Sequence, residues 1–408
     1  MQFMRMGCHR FCASTRTKHN VSCLRRGILR TAAMTIVIVQ LVISLSTGLA
    51  ADIYTELPPE LAKYDATHLV HIWSKADAEG IRRRVMEFIW LNGKLPTAKL
   101  PASSIVYANH GALPQELSGI DGTEVDRVER LDVHVDFDYH HISFLLHPAT
   151  ASQSKRLVII HQGHQGKRVE GIGRLTNLAN RMLREGFTVL LMQMPLTGWN
   201  TNNTFKTPKK GMVTIGERKS SAAHNQMFSA LGEEGGSLLR FFIEPVTAGI
   251  NYFIRQNPDC RDISMIGLSG GGWATHISAA IDARINLSIP VAGAYPLFLR
   301  PYYPGSEGDT EQILPALYKD RASWLDLYIL GADDSGRRQI QLLNQYDSCC
   351  FYGVGSDTYK DIVRRAVKNL GGQWECVLDS THKSHQISVW AIEKVILPAL
   401  DESKVRKK

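Results

Sequence analysis

The first fifty residues contain no aspartate or glutamate, although they carry Arg5, Arg10, Arg16, Lys18, Arg25, Arg26 and Arg30. The formal charge of +8 therefore misleads: 47 basic residues less these seven leaves 40, against 39 acidic ones. No basic stripe remains for a nucleic-acid partner, and that class of function is excluded. Also missing is an unbroken apolar run of about 20 residues, the length a membrane span needs. The run AAMTIVIVQLVISLSTGLAAD, Ala32 to Asp52, is interrupted by Gln40 and Ser44. A basic start, an apolar core of about 14 residues and a small-residue exit at Ala50 or Ala51 make a secretory signal peptide. Residues 1–50 are thus expected to be removed. The rest is expected to work as an exported chain, periplasmic or secreted, with no stable membrane span.

Cysteine is scarce, and its spacing excludes a zinc ribbon. Beyond the signal segment only Cys260, Cys349, Cys350 and Cys376 remain, with no C-x-x-C pair among them. Two readings stay open: a bridge from Cys349 or Cys350 to Cys376, or buried thiols. Repeats and low-complexity segments are absent.

What is present is alternation. Residues 51–124 read as an N-terminal extension, with a helix in SKADAEGIRRRVMEFIWLNGKLP and then turn-rich chain. From Val125, the segments VDRVERLDVHVDF, HHISFLLHPA, RLVIIHQG, FTVLLMQMP, DISMIGLS, INLSIPVAGA, WLDLYILGA and QWECVLD read as strands, with helices between the later ones. Apolar strands alternating with helices predict a mostly parallel α/β sheet covered on both faces. This main domain spans 125–402, with a polar insertion at 196–236 where a cap would sit and a charged tail at 403–408.

The segment DISMIGLSGGGWATH, Asp262 to His276, places Ser269 inside Gly267-Leu268-Ser269-Gly270-Gly271, between a strand and a helix. This is G-x-S-x-G in the strand–turn–helix setting of a nucleophile elbow. A nucleophilic serine needs a base, and the base needs an orienting acid. LDSTHKSHQISVW, after the final strand, offers His385, which directly precedes the closing helix, with His382 as second choice. For the acid, YILGADDSGRR ends a strand with Asp333 and Asp334, of which Asp334 is the first choice; Asp347 in NQYDSCCFYG is the next candidate. The oxyanion donors are expected at the N–H of Gly270 and in the loop after RLVII, at Gln162 and Gly163. No metal and no cofactor are expected: His382 and His385 form an H-x-x-H with no third ligand.

The GLSGGGW elbow, the HQGH loop, the ILGADD strand end and the THKSHQIS loop, in Ser–acid–His order, resemble the α/β-hydrolase superfamily from about Val125 to Leu400. The resemblance implies an eight-stranded, mostly parallel sheet and cofactor-free hydrolysis through an acyl-serine. HQGH departs from the HGGG form of the oxyanion loop. The expectation is a serine esterase acting on a small-molecule or polysaccharide ester. A serine peptidase of the same fold, or a non-catalytic binding module on it, are the alternatives. Tyr295, Phe298, Tyr302, Tyr303 and Trp199 are candidate pocket aromatics whose plainer reading is core packing.

Overall fold

The computed structural model describes residues 52–108, 113–149, 155–164, 173–216, 220–232 and 237–405. The expected signal peptide lies outside them, as do residues 406–408 of the tail. Eleven strands are present among the described residues: β1 (Ser103–Ala108), β2 (Val125–His134), β3 (His140–Pro148), β4 (Arg156–Gln162), β5 (Thr188–Gln193), β6 (Thr204–Thr207), β7 (Gly211–Thr214), β8 (Asp262–Leu268), β9 (Leu287–Val291), β10 (Arg338–Asn344) and β11 (Gln373–Asp379). Nine of them form one sheet in the order β1-β2-β3-β5-β4-β8-β9-β10-β11, while β6 and β7 make a separate hairpin in the insertion.

From β5 to β11 every neighbouring pair is parallel; β1–β2, β2–β3 and β3–β5 are antiparallel. Strands β4, β5, β8 and β9 are buried, or nearly so, along their whole length. That is why they read as continuous apolar runs with no alternation. The sheet has one strand more than expected. The addition is β1, from the extension, whose Ile105 and Val106 stay exposed at the edge; its short SSIVYA run carried no turn-bounded signal.

Five helices matter for the site: α1 (Lys75–Trp90), α2 (Thr176–Arg184), α3 (Ser220–Leu231), α4 (Arg240–Gln256) and α5 (Gly270–Ile281). Helix α1 starts at a capping box, Ser74 with Asp77. It docks on the main body through Arg82, whose Nε donates to Ala280 O at 2.8 Å. Among the described residues no helix is long and apolar enough to cross a membrane.

One element differs in kind. WLDLYILGA, expected as a strand, is a helix over Trp324–Leu330, started by a Ser323–Asp326 capping box and buried at all seven positions. A short run that is apolar all round has no period to reveal its type. The strand is instead RQIQLLN, β10, fourteen residues further on. Its Gln339 and Gln341 gave it a polar look. Both are fully buried, and Gln339 Nε2 donates to Ser288 Oγ at 3.1 Å while Gln341 Nε2 donates to Ala294 O at 3.1 Å. This shift moves the loop that follows the strand, and with it the carboxylates that loop carries.

A buried ionic cluster fastens β2 and β3 to α4. His147 Nε2 donates to Glu129 Oε1 at 2.7 Å, and Tyr252 OH donates to Glu129 Oε2 at 2.6 Å. Burial alone would raise the Glu129 pKa; the hydrogen bonds from His147 and Tyr252 and the charges of His147 and Arg127 outweigh it and lower the value from 4.5 to about 2. A depressed carboxylate stabilises the fold fully above its unfolded pKa and loses that contribution as pH falls towards the folded one. Denaturant unfolding should therefore show a wild-type advantage over Glu129→Gln, on the order of 3 kcal/mol near neutral pH. The advantage should shrink between pH 4.5 and about 2. A deficit in the variant that does not change with pH would contradict this.

Candidate active site

Ser269 occupies the turn between β8 and α5 with φ 60° and ψ −124°. A non-glycine residue at positive φ is strained, and the turn is held in place from both sides. Ser269 N donates to Val291 O at 2.9 Å, and Trp273 N donates back to Ser269 O at 2.9 Å. The surrounding glycines are there because backbone passes too close for a Cβ. One added at Gly267 would stand 2.1 Å from Gly271 O, and one at Gly271 would stand 2.0 Å from His161 O. The latter contact shows that the chain leaving β4 lies directly on the elbow.

That chain is the HQGH loop. A Cβ on Gly163 would stand 2.4 Å from Leu268 O and 2.6 Å from Gly270 N. The Gln162–Gly163 backbone and the Gly270 amide are thus neighbours. The loop is fixed from within: His161, fully buried, donates from Nδ1 to Gln162 O at 2.9 Å. Burial lowers its pKa to about 4, so it is neutral. Gly163→Ala would push the loop off the elbow, since the clashing atoms are backbone. Its expected result is a fall in kcat of roughly 10²- to 10³-fold, the cost of one misplaced oxyanion donor, with an unchanged circular dichroism spectrum. Full activity in a folded Gly163→Ala protein would show that this backbone takes no part.

Ser269 and His385 line the same cavity, of about 760 Å³. His385 sits in the loop after β11, and its Nδ1 is 2.8 Å from Asp347 Oδ2. A carboxylate only accepts here, so Nδ1 carries the proton and, in the neutral ring, Nε2 carries the lone pair. Asp347, fully buried, follows β10 by three residues. Cys349 N donates to its Oδ1 at 2.8 Å, and Asn344 Nδ2 donates to its Oδ2 at 2.9 Å. Burial would raise the Asp347 pKa, but the His385 hydrogen bond and charge, Asn344 and the Cys349 amide together bring it below 3.8.

Asn344, which the sequence gave no reason to single out, ties the two loops together. Its Nδ2 also donates to Gln386 O at 3.0 Å, next to His385. The His385 loop is braced further by Asp379, which accepts from Thr381 N at 2.9 Å and Ser388 Oγ at 2.5 Å.

The other acid and base candidates are elsewhere. Asp334 forms an ion pair with Lys75, is 57% exposed at its side chain, and borders a separate hollow. Asp333 is held in that same hollow by Arg82 at 2.6 Å and Arg337 at 2.5 Å. Asp334, the first choice of acid, follows a helix and does not meet His385; the carboxylate that reaches His385 is Asp347. His382 faces Asp379 at 3.3 Å and does not line the cavity.

No disulfide forms among the described residues. Cys376 is in β11, its thiol pushed up to about 12 by burial, and Cys349 and Cys350 stand side by side in the cavity wall. Of the aromatic candidates, Tyr295 and Tyr303 are core residues, Phe298 stacks on Tyr64 at 4.2 Å, and Trp199 donates to Ile142 O at 2.8 Å. None of them lines the cavity, where Phe351 is the one Phe, Tyr or Trp among the described residues. The polar side chains lining it include Ser221, Glu307, Asp309 and Gln312.

The strand order, the elbow after β8 and the loops after β4, β10 and β11 make this an α/β-hydrolase fold. No protein-family model matches the chain, and no curated protein is detectably similar to it. Solved structures do resemble it. The acetyl xylan esterase from Paenibacillus sp. R4 is 14% identical with a TM-score of 0.44, covering 85% of this chain and 99% of its own. Acetyl xylan esterase 1 from Thermoanaerobacterium sp. JW/SL YS485 is 12% identical with a TM-score of 0.49, covering 86% and 99%. The Pyrococcus horikoshii acylaminoacyl peptidase is 12% identical with a TM-score of 0.42, covering 68% and 40%. At these values the likenesses add nothing to what the strand order and the elbow already give.

Proposed function

We propose that this chain is a serine esterase in which Ser269 is the nucleophile, His385 the base and Asp347 the orienting acid. The observation that carries this reading is a strained serine sharing one cavity with a histidine whose far nitrogen is bonded to a buried carboxylate. As Ser269 Oγ bonds to the substrate carbonyl carbon, its proton passes to His385 Nε2. The carbonyl oxygen becomes an oxyanion facing the N–H groups of Gly270 and the Gln162–Gly163 backbone. Collapse breaks the carbon–oxygen bond to the alcohol, which leaves with the proton from Nε2. Water then repeats the sequence on the acyl-serine and restores Ser269. Asp347 stays ionised throughout and offsets the positive charge on the imidazole.

Ser221, Glu307, Asp309 and Gln312 in the cavity wall support a polar ester, from a small molecule or an acylated polysaccharide, over a long acyl chain. The basic, acid-free start of the sequence supports export. Hydrolysis of a short-acyl aryl ester and of the matching anilide tests the reaction class. Turnover of the ester alone is the expected result. Comparable kcat/KM on both would point to a peptidase, and turnover of neither by a folded chain would overturn the enzymatic reading.

A further inference from the structure

At the wall of the Ser269 cavity, which His164 lines, is a second group of side chains that the reaction above does not use. His164 ends the HQGH loop, His224 lies on α3 in the insertion, and Glu311 lies on a one-turn helix, Thr310–Ile313. His224 and Glu311 are fully buried. His164 Nε2 is 3.0 Å from His224 Nδ1 and 3.2 Å from Glu311 Oε1, and His224 Nδ1 is 3.0 Å from Glu311 Oε1. Three donor atoms of metal-ligating type thus form a nearly equilateral triangle.

With Glu311 ionised, protons alone do not satisfy that triangle. His224 Nε2 is 2.7 Å from Pro195 O, and a carbonyl only accepts, so Nε2 carries a proton. In a neutral ring, Nδ1 then turns a lone pair towards the Glu311 carboxylate. In a protonated ring, its N–H serves Glu311 but meets His164 Nε2, which itself needs a proton to face Glu311 and, at 3.1 Å, Asp309. With Glu311 ionised, every assignment leaves two acceptors or two donors opposed at about 3 Å, inside hydrogen-bonding range. A second observation is independent of the triangle: Glu311 Oε2 is buried and has no hydrogen-bond partner among the described residues.

We propose that His164, His224 and Glu311 bind a divalent cation of the zinc class. The edges of 3.0–3.2 Å approach the roughly 3.3 Å separation of ligands about 2.0–2.1 Å from a tetrahedral centre. Two imidazoles and one carboxylate suit zinc, and the proton on His224 Nε2, fixed by Pro195 O, is the outer bond that orients a metal-binding histidine. Glu311 Oε2 supplies a second carboxylate oxygen, and the fourth position is open to water or Asp309. The ion would join the loop after β4, the insertion helix and the segment around residue 311. It would thereby hold His164 where its Nδ1 stands 2.9 Å from the place a Cβ on Gly270 would occupy. This departs from the expectation of no metal, whose basis was the H-x-x-H at His382 and His385.

The test is metal content of the purified full chain by mass spectrometry, after stripping with a chelator and reloading with Zn²⁺ or Co²⁺. The expected result is about one tightly held equivalent, a rise in Tm on loading, and visible Co²⁺ bands of tetrahedral intensity. Glu311→Gln, nearly isosteric, and His164→Gln should each lose the metal while keeping the wild-type circular dichroism spectrum. A folded wild type that takes up no Zn²⁺ or Co²⁺ overturns the proposal even if both variants fail to fold. So does undiminished binding in the two variants. Fluorophosphonate labelling of the loaded and stripped chains separates this outcome from the fate of Ser269, since neither result requires the other.

Discussion

Ser269→Ala is expected to lower kcat/KM towards an ester by roughly 10⁴- to 10⁶-fold and to leave the fold intact. The size of the loss follows from the mechanism: without Oγ no acyl-serine forms, and only the oxyanion donors and the binding cavity remain. The intact fold follows from the structure. The Ser269 side chain caps nothing in α5, and the turn is held by main-chain bonds to Val291 and Trp273. Glycine should go further. At φ 60° a Cβ is strained, so Ser269→Gly should raise stability by about 1 kcal/mol while abolishing activity equally. Steady-state kinetics with thermal unfolding of the three proteins checks both halves. An Ala variant that retains even a tenth of wild-type kcat would remove Ser269 from the reaction.

The second large effect distinguishes the two acids. Asp347→Asn should lower kcat by about 10⁴-fold, because an amide at that position can donate to Nδ1 and hold His385 in the wrong tautomer. KM should change little, since Asp347 is buried behind His385 and does not line the cavity. Asp334→Asn should leave both constants unchanged; its partner is Lys75 at the surface. The reverse pattern, with Asp334 essential and Asp347 dispensable, would mean that the His385 contact does not serve catalysis.

That pair also shows how far the sequence could be read. The elbow was legible because its glycines answer a local steric demand, and a demand of that kind leaves a fixed spacing. His385 was legible from its place before the closing helix. The carboxylate beside His385 was only the second choice, because its position depends on where a strand ends. Trp324–Leu330 is an all-buried helix that imitates a buried strand, while β10 hides behind Gln339 and Gln341, whose polarity is satisfied internally. Once β10 is located, Asp347 occupies the position that Asp334 was given. Besides β10, the nine-stranded sheet departs from expectation at β1, a short edge strand recruited from the extension. His224 and Glu311 had no local signal at all. They are far apart in sequence and meet His164 only through tertiary packing of the insertion, which no single-chain spacing records.

The most direct measurement is stoichiometric labelling of the purified chain with a fluorophosphonate, the modified residue being located by peptide mass spectrometry. Labelling confined to Ser269, absent in Ser269→Ala and strongly slowed in His385→Ala, is the predicted result. Ser221, Ser348 and Ser384 line the same cavity and serve as internal controls. A folded wild-type chain that takes no label, or takes it on one of those three serines, would contradict an activated serine at the elbow.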